Sequence, residues 1–299
     1  MIAEKIYISI LVQIGLKAKA YFELLKFRLS FLVVFSGGMG YLLGAQTINW
    51  ISFMSFLLGG FFVTGSSNII NQIIEKDLDK LMTRTSGRPL PTGRLSVSEA
   101  VIFCLVLALS GFVILFKFVG ILPAFLTFLS LLLYGFVYTP LKRVSSIAVL
   151  VGAIPGALPP LIGWVAATGG ISIEGLLLFG IQFIWQFPHF WAIAWVLDEE
   201  YKKAGFKLLP FGGAKDLNSA FQIMIYTLML IPLGLIPAKL ELTGINSAVI
   251  ATVCGVLFLM QTFSLMKNCS NKAALKIMFG SFLYLPIVQI AFVLDKIVK

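Results

Sequence analysis

Charge is what this sequence has least of. Only 12% of its 299 residues are Asp, Glu, Lys or Arg, against about 25% in a soluble domain, which excludes a water-soluble globule of this length. Cysteine is also scarce. Cys104, Cys254 and Cys269 are odd in number and form no CxxC pair, which excludes a disulfide framework, a c-type heme attachment site and a zinc site. There is no internal repeat, low-complexity tract or break in composition, so residues 1–299 read as one membrane domain. A cleavable signal is lacking too. The uncharged stretch at residues 6–16 is too short to span and runs into Lys17 and Lys19, a poor cleavage context, so residues 1–20 read as an interfacial segment.

Apolar residues are what the chain has in abundance, at 59%. About 18 to 20 of them in a row cross the hydrocarbon core of a bilayer. Residues 29–74 are uncharged throughout and hold two spans broken at Thr47-Ile48-Asn49, and the uncharged runs 100–116, 118–141, 144–173, 175–197, 217–238, 242–266 and 277–294 supply seven more. The sequence therefore predicts an all-α integral membrane protein, a bundle of nine transmembrane helices. With the N-terminus cytoplasmic, 19 Lys and Arg fall on inside segments and four outside, as the positive-inside rule requires. The net charge of +10 is then met by the anionic lipid bilayer, with no nucleic acid needed.

Two inside connections, residues 75–98 and 198–216, are long and polar. At the start of the first, Asn68, Asn71, Glu75 and Asp79 share one helical face while Asp77 points away. Carboxylates and amides in one stripe suit a hard cation, since Mg2+ takes one or two carboxylates together with phosphate oxygens. A solvated helix end whose acids pair with Lys76 and Lys80 has the same letters. Next come Arg84, Arg88 and Arg94 in a Gly/Pro-punctuated loop, which offer planar forks for phosphate. Tyr138 and Lys142 lie four apart across Pro140, with Arg143 following; Lys142 serves either a diphosphate or membrane topology. Glycines and prolines crowd residues 152–164, a composition tolerated where helices line a cavity. Gln182, Gln186 and His189, the sole histidine, form a polar stripe inside the sixth span among Trp185, Phe190 and Trp191. Polar groups at that depth face a cavity or a partner, so His189 is either a satisfied core residue or a ligand contact.

These residues carry a resemblance. Asn71-x-x-x-Glu75-x-x-x-Asp79 followed by Met82-x-Arg84-Thr85 resembles the first signature of the UbiA family of intramembrane prenyltransferases. Lys26-Phe27-Arg28 resembles the family's Lys-Pro-Arg, with Phe27 in place of proline. Two departures stand out: Gln72 replaces the usual Asp, and the second acidic motif lacks its Asp-x-x-x-Asp spacing. Instead, Tyr138-Thr139 with Leu141-Lys142-Arg143, Gly156-Ala157 with Pro159-Pro160 and Gly163-Trp164, Trp185-Gln186 with Pro188-His189, Glu200-Tyr201, and Ala204-Gly205 with Leu209-Pro210 resemble the heme-prenylating branch. The motifs extend from about residue 21 to 210.

The resemblance implies a nine-span bundle with a central cavity open to the cytoplasmic side and to lipid. It implies farnesyl transfer from farnesyl diphosphate to a vinyl group of heme B, with addition of water. Magnesium would be held by Asn71, Glu75, Asp79 and Glu200, with Asp198 behind Glu200. Lys142, Arg84, Arg88, Arg94, Arg143, Tyr138, Lys26 and Arg28 would contact the diphosphate. The catalytic set is Asn71, Glu75, Asp79, Glu200 and Lys142. Heme would lie against His189, Gln186, Trp185 and Trp191, with His189 an axial ligand through a neutral nitrogen. The implied location is a bacterial inner membrane with the active site facing the cytoplasm, and a heme A synthase or oxidase-assembly factor is the expected protein partner. Two other readings are an aromatic quinone precursor as acceptor and a polytopic transporter. A transporter favours ionisable groups near the midplane, whereas the acids here gather at helix ends.

Overall fold

The computed structural model describes residues 2–210 and 213–297, with side chains from Gln13 onward. Lys299 and the side chain of Lys5, which enter the charge count above, lie outside the described residues. Among the described residues nine helical spans are long and apolar enough to cross a bilayer, in agreement with the sequence. They are α2 (Phe27–Gly44), α3 (Trp50–Asp79), α4 (Val97–Phe118), a composite of α5 (Ile121–Leu132), a π-helical turn (Leu133–Tyr138) and α6 (Thr139–Leu141), then α7 (Ala148–Thr168), α8 (Ile173–Val196), α10 (Leu217–Lys239), α11 (Ile245–Asn268) and α12 (Asn271–Leu294). Helix α1 (Ile2–Leu24) precedes them, and the short α9 (Asp198–Lys203) follows α8.

Helix ends are set by side chains in the sequence. Asn49 accepts from Ser52 N to start α3, Ser96 and Glu99 form a reciprocal capping box on α4, and Asp216 and Ser270 cap α10 and α12. At 30 residues, α3 is about 45 Å long, well beyond the roughly 30 Å hydrocarbon core. Its last turns, with Asn71, Glu75 and Asp79, therefore reach the polar margin.

Prolines explain much of the polar packing in the middle of the bundle. Pro160 has no N–H to give the Gly156 carbonyl, which accepts instead from Gln182 Nε2 at 2.7 Å and Gln186 Nε2 at 2.9 Å. Pro159 likewise frees the Pro155 carbonyl, which accepts from Ser130 Oγ at 3.4 Å. Gln182 Oε1 in turn accepts from Ser36 Oγ (2.6 Å) and Gln289 Nε2 (3.0 Å), tying α2, α7, α8 and α12 together.

Helices α2 and α7 meet backbone to backbone. A methyl on Gly163 would fall on the Gly37 carbonyl oxygen, and one on Gly40 would fall on that of Pro160. Neither backbone can move without opening the helix pair. Gly163→Ala is accordingly expected to destabilise the protein by about 3 kcal/mol, the upper end for overpacking. Gly87→Ala, with nothing within 4 Å of the new methyl, should leave stability unchanged. Unfolding in mixed micelles measures both; equal midpoints would show that the helix pair yields freely.

Candidate active site

Three consecutive turns on one face of α3 bring Asn71, Glu75 and Asp79 together, all buried. Lys142, at the end of α6, places Nζ 2.5 Å from Glu75 Oε1, and Arg88 places Nη1 2.7 Å from Asp79 Oδ2. Asn71 Oδ1 accepts from Lys26 Nζ at 3.0 Å, while its Nδ2 donates to Thr139 Oγ1 at 3.3 Å. Asn68 and Gln72 turn elsewhere: they donate to the Leu25 and Leu24 carbonyls, which leave the helical ladder where α1 gives way to α2. Lys26, in the left-handed conformation at φ 47°, makes that corner and is thereby aimed at Asn71.

Both long loops close over this face. Met82 is buried against Phe206 and Ala204. Thr83 N donates to Glu200 Oε2 at 2.5 Å, which puts Glu200 beside the turn that follows Asp79. Lys207 N donates to the Lys142 carbonyl at 2.9 Å. The Lys142 ammonium sits 4.9 Å from the centroid of Tyr138 and 5.3 Å from that of Phe206, a cation–π arrangement that steadies it. The expected convergence of separate helix ends on one end of the bundle is therefore present.

The remaining expected residues are distributed unevenly. Glu200 also pairs with Lys203 at 2.6 Å, and that ammonium together with the Thr83 N–H holds its carboxyl below the usual range. Asp198 is paired with Lys202 at 2.8 Å and Lys215 at 3.6 Å. Arg94 forks onto Glu23 at 2.6 and 3.1 Å and donates to the Gly87 carbonyl, which braces the loop. Arg28, Arg84 and Arg143 are exposed and form no ion pair among the described residues. Burial pushes the Tyr201 hydroxyl up, so it stays a proton donor beside these cations.

The electrostatics of the centre favour an added anion. Burial and the neighbouring Arg88 and Lys142 charges push Lys26 down to about 7. Lys26, Arg88 and Lys142 thus compete around only two carboxylates, Glu75 and Asp79. Two carboxylate oxygens are left short of hydrogen bonds: Asp79 Oδ1 is buried with no partner, and Glu75 Oε1 has only the Lys142 charge. Orphaned hard oxygens beside a cluster of cations fit a magnesium–diphosphate, in which the metal takes one or two protein carboxylates and phosphate oxygens complete its shell. Among the described residues no three Asp, Glu, His or Cys side chains are grouped so as to hold a metal by themselves.

A second polar centre lies on α8. His189 stacks on Trp185 with centroids 4.3 Å apart, and its Nδ1 lies 2.9 Å from Ser281 Oγ on α12. Ser281 Oγ spends its single hydrogen on the Met278 carbonyl at 2.6 Å, so the contact with His189 requires the hydrogen on Nδ1. The Nε2 lone pair is left without a partner among the described residues. Trp185 Nε1 donates to the Ser281 carbonyl at 3.1 Å, so Ser281 fixes both rings. Trp191 instead packs on Phe187 and Tyr226 at 5.2 and 5.1 Å, away from His189, and Gln186 serves the Gly156 carbonyl. Thr139 is legible only as part of a motif and not as the partner of Asn71, and nothing local in the sequence marks Ser281, which acts on a residue far away in the chain.

Comparison with known proteins places the chain in a family. The chain is 57% identical over 280 residues to a protoheme IX farnesyltransferase of Cytophaga hutchinsonii, covering 93% of this chain and 98% of the relative. A protoheme IX farnesyltransferase of Flavobacterium psychrophilum is 44% identical, with 93% and 94% covered. Among solved structures, a digeranylgeranylglyceryl phosphate synthase superposes with a TM-score of 0.78 at 23% identity over 93% of this chain and 98% of that one. A UbiA homologue from Archaeoglobus fulgidus gives 0.62 at 20% identity over 92% and 99%. The profile of the UbiA prenyltransferase family matches residues 31–285, and with near full-length relatives at this identity the chain belongs to that family.

Proposed function

We propose that this chain transfers the farnesyl group of farnesyl diphosphate to a vinyl group of heme B, at the cytoplasmic face of a bacterial inner membrane. The observation that carries the reading is the meeting of Lys26, Arg88 and Lys142 with the unsatisfied oxygens of Glu75 and Asp79 at one end of the bundle. Heme as the acceptor is supported by the names of the relatives, and the metal by the A. fulgidus neighbour, solved with GPP and Mg2+.

In the reaction the allylic C–O bond of farnesyl diphosphate breaks and diphosphate leaves with the electron pair. Farnesyl C1 then bonds to the terminal vinyl carbon, and the carbon next to the porphyrin takes up water and loses a proton, giving a hydroxyalkyl side chain. Bound magnesium supplies charge stabilisation to the leaving diphosphate. Lys142, Arg88 and Lys26 add donors preorganised by their carboxylate and amide partners, which need little rearrangement as charge develops. Asn71, Glu75 and Asp79 would hold the metal, with Glu200 placed to join through the Thr83 turn. Purified protein given farnesyl diphosphate, heme B and magnesium should release diphosphate and yield heme enlarged by one farnesyl group and one water. Prenylation of an aromatic quinone precursor with heme untouched would overturn the acceptor assignment.

A further inference from the structure

A π-helical turn is an uncommon insertion in a helix and is frequent at functional sites. The one at Leu133–Tyr138 ends directly on Thr139. Resting on the reading of Asn71 as a metal ligand above, we infer that Thr139 is a positioning residue that fixes the Asn71 amide. It holds the amide nitrogen on its own hydroxyl and so leaves the amide oxygen for the cation.

An asparagine side chain has nearly the same shape either way round, but turning it over replaces an oxygen that binds a cation with an NH2 group that cannot. Helical period puts Asn71 on the stripe with Glu75 and Asp79 and does not choose between the two ends of the amide. Its neighbours do. Thr139 Oγ1 gives its single hydrogen to the Tyr134 carbonyl at 2.8 Å, so it meets Asn71 Nδ2, 3.3 Å away, only as an acceptor. In a regular helix a threonine hydroxyl reaches the carbonyl three or four residues back. The π turn offers Thr139 the one five back instead.

Lys26 Nζ, which can only donate, holds Asn71 Oδ1 from the other side at 3.0 Å. The two neighbours enforce one orientation, and with Asn71 2% and Thr139 1% exposed water has little room to replace either. An amide oxygen accepts twice. Lys26 takes one lone pair of Oδ1, and the other remains for a metal shared with Glu75 and Asp79. The Tyr134 carbonyl also accepts the Thr139 N–H, so the turn keeps a backbone bond when the hydroxyl is removed.

The test is the binding of manganese, standing in for magnesium, to the full-length protein with unreactive farnesyl thiodiphosphate, read from the electron-spin signal of the free ion. Thr139→Val keeps the shape and drops the acceptor. It is expected to weaken manganese binding by about tenfold or more, the usual cost of losing a group that orients a ligand. Thr139→Ser, which keeps both donor and acceptor, should stay within about twofold of the wild type. Thiodiphosphate binding without metal should be unchanged in Thr139→Val, whereas a general loosening of the site would weaken it. In an Asn71→Asp background the valine should cost nothing further, because a carboxylate presents an oxygen whichever way it is turned. Wild-type manganese affinity in folded Thr139→Val, or in Thr139→Ala should the valine prevent folding, overturns the positioning role. So does a loss that persists in full in the Asn71→Asp background. Either result leaves the metal reading standing, since the wild type still binds manganese. A wild type that binds no manganese, or binds it equally well after Asn71→Ala, overturns the metal assignment of Asn71 and the positioning role with it.

Discussion

Asp79→Asn is expected to lower turnover by about 10³-fold or more in a protein that still purifies as a folded bundle. One oxygen of Asp79 is paired with Arg88 at 2.7 Å and the other is buried with no partner, an arrangement that is costly unless a cation completes it. Asparagine keeps the shape and an oxygen for Arg88, but loses the charge that a metal requires. The fold should survive because the Asp79 main-chain carbonyl, which accepts from Thr85 Oγ1 at 2.9 Å, is untouched. Arg88 also keeps 20% of its side chain in contact with water, so unpairing it costs less than the roughly 3–5 kcal/mol of a fully buried break. Turnover should recover in part at higher magnesium if the residue acts through the metal. Full activity in the folded variant at ordinary magnesium would remove Asp79 from the site.

The spans were legible because an uncharged stretch longer than the hydrocarbon core has few other homes, and the predicted 217–238 and 242–266 fall on α10 at Leu217–Lys239 and α11 at Ile245–Asn268. The start of α2 was less legible. The chain turns at Leu25 and Lys26 without glycine or proline, held by Asn68 and Gln72 from α3, and a tertiary clamp of that kind has no local signature. The same clamp explains Asn68. Helical period places it beside Asn71, Glu75 and Asp79, but a period reports a direction from the axis and not which neighbour fills it. Trp191 is the reverse case: two residues beyond His189 is about 200° around the helix, so its separation from that ring could have been read from the spacing. The acids after α8 were the hardest to place, since sequence cannot tell a carboxylate bound by neighbouring lysines, as Asp198 is, from one tied to the α3 loop, as Glu200 is.

His189→Ala should abolish the shift in heme absorption seen when heme B is added to the protein, and lower prenyl transfer by about 10²-fold while leaving prenyl thiodiphosphate binding intact. The reasoning starts at Ser281. Its hydroxyl hydrogen is committed to the Met278 carbonyl, so His189 must carry its proton on Nδ1, and the imidazole presents Nε2 as a neutral ligand. Trp185, stacked at 4.3 Å and anchored to the same serine's carbonyl, prevents the ring from turning over. Neutral nitrogen, fixed orientation and an aromatic wall are what binding a flat iron porphyrin calls for. Ser281→Ala separates this from a merely structural role, because it removes the acceptor that selects the tautomer while leaving the imidazole in place. That variant should retain heme binding with a weaker and more pH-sensitive spectral shift. Identical heme spectra for the wild type and both variants would mean that His189 packs the core and that the porphyrin is held elsewhere.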